Sequence, residues 1–443
     1  MLRVTVSTGG THCVTFLTMN PVAAMPIVIA AFAALMLGVC AGRGRLGAEG
    51  SRKAMHIGMG VVTLSFPWLF SETWPVFVLT GGFVALLLAL RCVPTLRARF
   101  GEVLGGVGRS SAGDLFFPVA IGVLFYITRG APLDYFIAVL VLTFADAVAA
   151  LVGTRFGRHR YDADEGEKSR EGSLAFLATA FICVFVPLIA AGRPVQHSAF
   201  TAVCIALVTM LAEATAWRGL DNLFIPFATA AMLAIYRDET YAALWGRIGV
   251  LGFLAALHIV WRKRTQLREG TLLGALVLIF VFWNIGSPAW AFAPLTLLVL
   301  HPLPGLWNRA DAVPQSHHAL LSVALPPLAW LFAWRFFGVK GFAPALITFA
   351  AQLAMMCASV WRTDQRRIAL LPLAAGVGWL CIIAPRWGLA EITAHIAGMS
   401  AAATGAAIVV FHVLLPRLHG RPREHWTARA VLASFASLSV FSL

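Results

Sequence analysis

DAVAALVGTRFGRHRYDADEGEKSREGS, residues 146–173, joins one apolar segment to the next through the most charged loop in the first half of the chain. On the N-terminal side lies FIAVLVLTFADAVAALVG, and on the C-terminal side Gly172 and Ser173 open another hydrophobic run. Asp146, Ala150, Gly153 and Gly157 fall near helical spacings of i, i+4, i+7 and i+11, a strip of one carboxylate and small residues. Arg155, Arg158, Arg160, Lys168 and Arg170 follow. Free backbone N–H groups at the start of the next helix would face an anion. A carboxylate, a lysine and a helix N-terminus together suit a nucleoside triphosphate better than plain packing.

Outward from this run the chain is mostly apolar. Of 443 residues, 59% are hydrophobic and 12% charged, and the mean hydropathy is +0.81. Apolar stretches of about twenty residues mark membrane-spanning helices. We expect an all-α integral membrane protein, a polytopic bundle of about 14–16 transmembrane helices on this spacing. The net charge of +14 does not point to nucleic acid, because the basic residues sit in short loops between spans. The seven cysteines form no CxxC pair, so neither a disulfide framework nor a zinc site is indicated.

The N-terminal twenty residues lack a basic n-region with a clear cleavage site, so Pro21–Cys40 reads as a retained first span. Basic and weakly charged loops then alternate through nine spans, up to Trp261. The basic set faces the cytoplasm by the positive-inside rule, which leaves the N-terminus outside. That places the motif loops on one cytoplasmic side of a cell-membrane protein. Residues 1–50 carry the first span, 51–268 hold the motifs, and 269–443 form an additional transmembrane module without a repeat of them.

Four stretches carry polar residues where apolar ones are expected. Arg52, Lys53 and His56 sit at the mouth of the second span, with Arg52 and His56 on one helical face. They read either as interfacial snorkelling cations or as an anion clamp with a histidine base. Asp114, in RSSAGDLFFP after Arg109, reads equally as a helix cap. Asp146 lies inside an apolar run, where a carboxylate is costly and functional by default. Its glycines also fit close helix packing. Glu213, Asp221 and Asn222, in AEATAWRGLDN, complete an acidic set for Mg²⁺ once phosphate oxygens join it. Pro226 marks either a broken helix or a tolerated kink. Glu391, His395, His412, His317 and His318 read as structural or loop residues.

SRKAMHIGMG, SSAGDLFFPVAIG, the run from FADAVAALVGTRFG to EKSREGSLAF, and AEATAWRGLDNLFIPFATA, in this order, resemble the polyprenol kinase family. Its members include dolichol kinase, phytol kinase and CTP-dependent diacylglycerol kinase. The resemblance covers roughly residues 50–237. It implies a lipid-alcohol kinase using CTP, with Mg²⁺, on a membrane prenol or diacylglycerol. Carried over, Asp146 holds metal or phosphate and Gly153 and Gly157 allow close approach. Lys168 meets the phosphates, and Ser169, Glu171, Gly172 and Ser173 finish the pocket. Glu213, Asp221 and Asn222 occupy the acidic block. His56 is the expected base, with Asp146 and Asp221 as the carboxylate alternatives. Asp114 stands where relatives have Glu. A phosphatidate cytidylyltransferase is the second reading, although its C-terminal signature is absent. A lipid transporter or flippase is the third, set against the lack of a paired repeat.

Overall fold

The computed structural model describes residues 3–5, 16–18, 20–93, 113–163, 166–215, 219–265, 267–300, 317–360, part of 402–413, and 422–441. Arg109, Glu391, His395 and His412 lie outside the described residues. The chain forms two compact units, Met1–Gly246 and Arg247–Leu443.

In the first unit, two short strands, β1 (Arg3–Thr5) and β2 (Phe16–Thr18), pair antiparallel ahead of the helices. Helix α1 (Pro21–Leu64) starts at Asn20, whose side chain accepts from the Val22 N–H at 3.0 Å. It is two helices in one: Gly47, at φ 68°, breaks the helical backbone. Only glycine takes that conformation without strain. The two arms turn back on each other, since Leu35 of the first packs against Gly58 of the second. A one-turn helix α2 (Phe66–Leu69), then α3 (Trp74–Cys92) and α4 (Gly113–Ile127) follow. Helix α5 (Pro132–Leu140) continues through a π-helical turn, Val141–Ala145, into α6 (Asp146–Phe156). Next come α7 (Arg170–Ala190), α8 (Val195–Thr215), α9 (Asp221–Tyr236) and α10 (Tyr241–Trp261).

The continuous span Pro132–Phe156 lies at the centre of the unit. It packs against α1, α7 and α9, and Ile137, Ala138, Val139, Val141 and Leu142 have no exposed surface. Outer helices instead present large aliphatic side chains, such as Leu37, Leu174 and Ile182, outward. In water this would be an aggregation surface; in hydrocarbon it is the expected lining of a lipid-facing wall. Six described helices are long and apolar enough to cross a membrane, and six shorter ones are also apolar. The chain is an all-α polytopic membrane protein.

The sequence read residues 158–168 as a loop, and here the structure corrects it. Strands β3 (Arg160–Ala163) and β4 (Gly166–Ser169) form a hairpin with Tyr161 opposite Lys168. A two-stranded hairpin satisfies backbone groups between two spans at little length. A helix also runs unbroken through Pro226, so that proline is a tolerated one.

The second unit contains the rest of α10, then α11 (Glu269–Val281), a second π turn (Phe282–Gly286), α12 (Pro288–Leu300), α13 (His317–Phe337), α14 (Phe342–Val360) and α15 (Pro422–Phe441). Phe282, Trp290, Leu331, Leu346 and Phe349 form its core. Gln352 donates to the Ser322 carbonyl at 2.9 Å, and the Trp330 indole donates to the Ser437 hydroxyl at 2.9 Å. Arg247 donates to the Asn284 side chain and lies over the Trp283 ring.

Candidate active site

The second arm of α1 brings Lys53 and His56 to the central span. Lys53 Nζ lies 2.9 Å from Asp146 Oδ2, with both side chains largely out of solvent. His56 Nε2 faces the Leu142 carbonyl at 3.3 Å and Asp146 Oδ2 at 3.8 Å. Leu142 belongs to the π turn just before Asp146. Such turns recur at functional sites because they re-aim side chains and carbonyls out of helical register. Lys53 and His56, one turn apart, thus both face Asp146, whereas Arg52 is exposed. Phe117 of α4 meets the His56 ring edge-on, with centroids 5.3 Å apart.

A second ion pair stands close by. Lys168, at the end of β4, donates to Glu213 Oε1 at 2.7 Å and also to the Glu213 backbone carbonyl. Burial opposes the charge on Lys168. The Glu213 carboxylate, the hydrogen bond to it, and then Asp221 and Tyr161 outweigh burial and hold the ammonium pKa above its ordinary value. Asp221, at the start of α9, lies within electrostatic reach of Asp146, Lys168 and Glu213. Asp146 likewise feels Lys168 as well as Lys53. The two pairs and Asp221 thus form one charged cluster drawn from five elements, α1, α6, β4, α8 and α9. Asn222 Nδ2 donates to the Gly113 carbonyl at 3.0 Å, which ties α9 to the start of α4 beside Asp114. Asp114 itself pairs with Arg91 at 2.5 Å.

The glycines and serines of the long motif are used for close packing. A Cβ on Gly157 would strike the Gly153 carbonyl and come within 2.7 Å of Ser169 Cβ. Gly153 faces Ser169 Oγ and the Gly172 Cα. The absence of side chains at these points lets α6 and the start of α7 approach backbone to backbone. Ser169 is the N-cap of α7, its hydroxyl accepting from the Gly172 N–H at 3.1 Å. The Arg170 N–H goes to the His159 carbonyl at 2.9 Å. Glu171 Oε1 lies 2.7 Å from His159 Nδ1. Ser173 Oγ lies 2.9 Å from the Tyr161 hydroxyl. The helix start expected to face an anion is thus tied to the hairpin by protein groups.

Mg²⁺ was expected on Asp146, Glu213, Asp221 and Asn222. Among the described residues, no three acidic, histidine or cysteine side chains converge on one point as a ready cage. The donors are nonetheless hard oxygens. Mg²⁺ is commonly held by one or two carboxylates completed by substrate phosphates, so the residues present fit such an ion.

Sequence reasoning missed three partners here: the Leu142 carbonyl, Phe117 and Tyr161. The first has no sequence signal, since π turns are set by packing. Tyr161 was legible only as the single aromatic residue in RHRYDADEGEKS. At the far end of the central span, Asp134 is buried and pairs with Arg237 at 2.5 Å, joining α5 to the end of α9.

No family model matches the chain, and no solved structure matches it. One curated protein does: a protein of Synechocystis sp. named phytol kinase is 35% identical over 192 residues, covering 41% of this chain and 77% of its own length. With the fold and the cluster, that likeness defines the class, a multi-pass membrane phosphotransferase with an alcohol acceptor. The chain belongs to the polyprenol kinase family.

Proposed function

We propose that this protein transfers the γ-phosphate of CTP to a single-hydroxyl lipid alcohol of the phytol or prenol type, at the cytoplasmic face of the cell membrane. The observation that carries the proposal is the joined cluster Lys53–Asp146–His56 and Lys168–Glu213–Asp221. The name of the Synechocystis relative supports a prenol-type acceptor. The cytoplasmic side follows from the arginine-rich motif loops.

Phosphoryl transfer needs positioning and charge stabilisation more than covalent help from the protein. Lys53 and Lys168 supply two cations about a group of carboxylates. Lys168 leaves Glu213 for the nucleotide phosphates when these arrive, a short swing for a flexible ammonium. Mg²⁺, when bound, neutralises phosphate charge, and Asp146, Glu213, Asp221 and Asn222 are the residues that would hold it. His56, when neutral, donates its Nε2 proton to the Leu142 carbonyl, so its lone pair is on Nδ1. That nitrogen takes the proton of the acceptor hydroxyl. Capping by Ser169 and the Tyr161–Ser173 contact hold the hairpin and helix start that deliver Lys168.

A donor-and-acceptor matrix on purified protein in mixed micelles tests the proposal. CTP and ATP are each offered with prenols and with diacylglycerol, and α-labelled CTP is offered with phosphatidate in parallel. The proposal expects turnover with CTP and a prenol. Label passing from the α position to phosphatidate would replace it with cytidylyl transfer.

A further inference from the structure

Three carboxylates and two lysines make up the cluster, so one acid has no lysine of its own. Lys53 lies 2.9 Å from Asp146 Oδ2, and Lys168 lies 2.7 Å from Glu213 Oε1. Asp221 has no such ion pair among the described residues; its Oδ1 takes the Asn222 backbone N–H at 3.1 Å. Gly219, at φ 82°, turns the chain from α8 into α9, and Asp221 comes within electrostatic reach of both Glu213 and Lys168. Lys168 is therefore a cation that two carboxylates share.

Lys168 grips Glu213 twice, through the carboxylate and through the backbone carbonyl, which engages two of its three N–H donors. Its side chain is the more exposed of the pair, 25% against 13%, so the ammonium covers the carboxylate on its open side. Hard carboxylate and carbonyl oxygens are also what Mg²⁺ takes. An ammonium and a divalent ion on the same oxygens repel each other, and solvent screens that repulsion weakly in a mostly buried site. Removing both cations would instead leave Glu213 and Asp221 facing like charge. One cation or the other is the stable arrangement, and in the free protein the chain itself supplies it.

We infer that Lys168 is a resident cation that keeps Glu213 and Asp221 closed to a divalent ion until a nucleotide draws the ammonium away. The inference rests on the kinase reading above and adds a coupling to it. The nucleotide phosphates take Lys168, Glu213 is uncovered, and Glu213 with Asp221 can then share a divalent ion with phosphate oxygens. The swing exchanges one cation for another, so the two carboxylates are not left bare at any stage. Nucleotide and metal binding are thereby linked, each raising the affinity for the other by the same factor. Without a nucleotide the site stays closed to metal.

Equilibrium dialysis of full-length protein in detergent micelles, with Mn²⁺ as the probe, tests this and needs no turnover. Wild-type protein is expected to retain little Mn²⁺ alone, and at least about tenfold more when CTP is present equally on both sides. Lys168→Met, which removes the resident cation, is expected to bind Mn²⁺ without nucleotide at least about tenfold more tightly than wild type. Adding Glu213→Gln should abolish that gain, and Lys168→Arg should keep the wild-type exclusion. As a second readout, Mn²⁺ should raise the melting temperature of Lys168→Met and leave that of the double variant unmoved. Wild-type protein that binds Mn²⁺ alone as tightly as it does beside CTP overturns the inference, even where a variant fails to fold. So does a folded Lys168→Met protein with no more affinity for Mn²⁺ than wild type. Wild-type protein that phosphorylates no alcohol, with this Mn²⁺ pattern intact, refutes the kinase reading instead, and the two failures are thereby separate.

Discussion

Replacing Lys168 with Met separates the part of this lysine that holds the fold from the part that serves transfer. Its ammonium lies 2.7 Å from Glu213 Oε1, with the side chains 25% and 13% exposed. At an effective dielectric of about 20, the attraction at that distance is about 6 kcal/mol before desolvation is counted. Removing one partner of a mostly buried pair leaves a charge without its counterion, at a net cost of about 3–5 kcal/mol. Because the Lys168 pKa is raised, the stabilisation is complete below the ordinary lysine value of 10.5 and is lost only as pH climbs through the raised one. The variant should therefore melt at lower temperature throughout the neutral range. Adding Glu213→Gln removes the stranded carboxylate and should restore most of the melting temperature. It should not restore activity: loss of one cation at the transferring phosphates lowers kcat by a factor of about 10²–10³. Thermal unfolding in detergent and steady-state kinetics with CTP are read on the same preparations. A Lys168→Met enzyme whose kcat stays within about threefold of wild type would refute the placement of Lys168 at the phosphates.

Other outcomes follow from single contacts. Gly60→Ala drives a Cβ into the Thr143 side chain and should lower stability by about 1–3 kcal/mol, with Thr143→Ala recovering part of it in the same thermal assay. Ser169→Ala removes the α7 cap and should cost about 1 kcal/mol. In that variant KM for CTP should rise more than KM for the prenol, because the hairpin that delivers Lys168 loosens. Arg160 and Arg170 are exposed. Cysteines introduced there into a cysteine-free background should react with an impermeant maleimide in inside-out vesicles and be protected in right-side-out ones. The reverse pattern would overturn the assigned topology.

The membrane class and most span limits were legible in the sequence, because a twenty-residue apolar run has few alternatives in water or lipid. The motif residues stood out for the same reason: Asp146, Glu213 and Lys168 are costly where they are unless something faces them. What faces them was not legible. Lys53 and His56 reach Asp146 because α1 doubles back at Gly47 and a π turn rotates the span just ahead of Asp146. Both depend on packing partners about ninety residues away. Helical spacing paired Arg52 with His56, although three-residue spacing suits the facing geometry here. The Asp134–Arg237 pair joins residues 103 apart, a separation that no local sequence pattern signals. The glycines invited both a phosphate-loop and a close-packing reading, and the close approach of α6 to α7 gives them the packing role.

The most direct measurement follows the γ-phosphate itself. Purified wild-type protein and Asp146→Asn are each given γ-labelled CTP and geranylgeraniol in mixed micelles, and the lipid phase is extracted. The account predicts label on the prenol with wild type and none above background with a folded Asp146→Asn protein. Equal transfer by both would contradict the claim that the cluster around Asp146 performs the reaction.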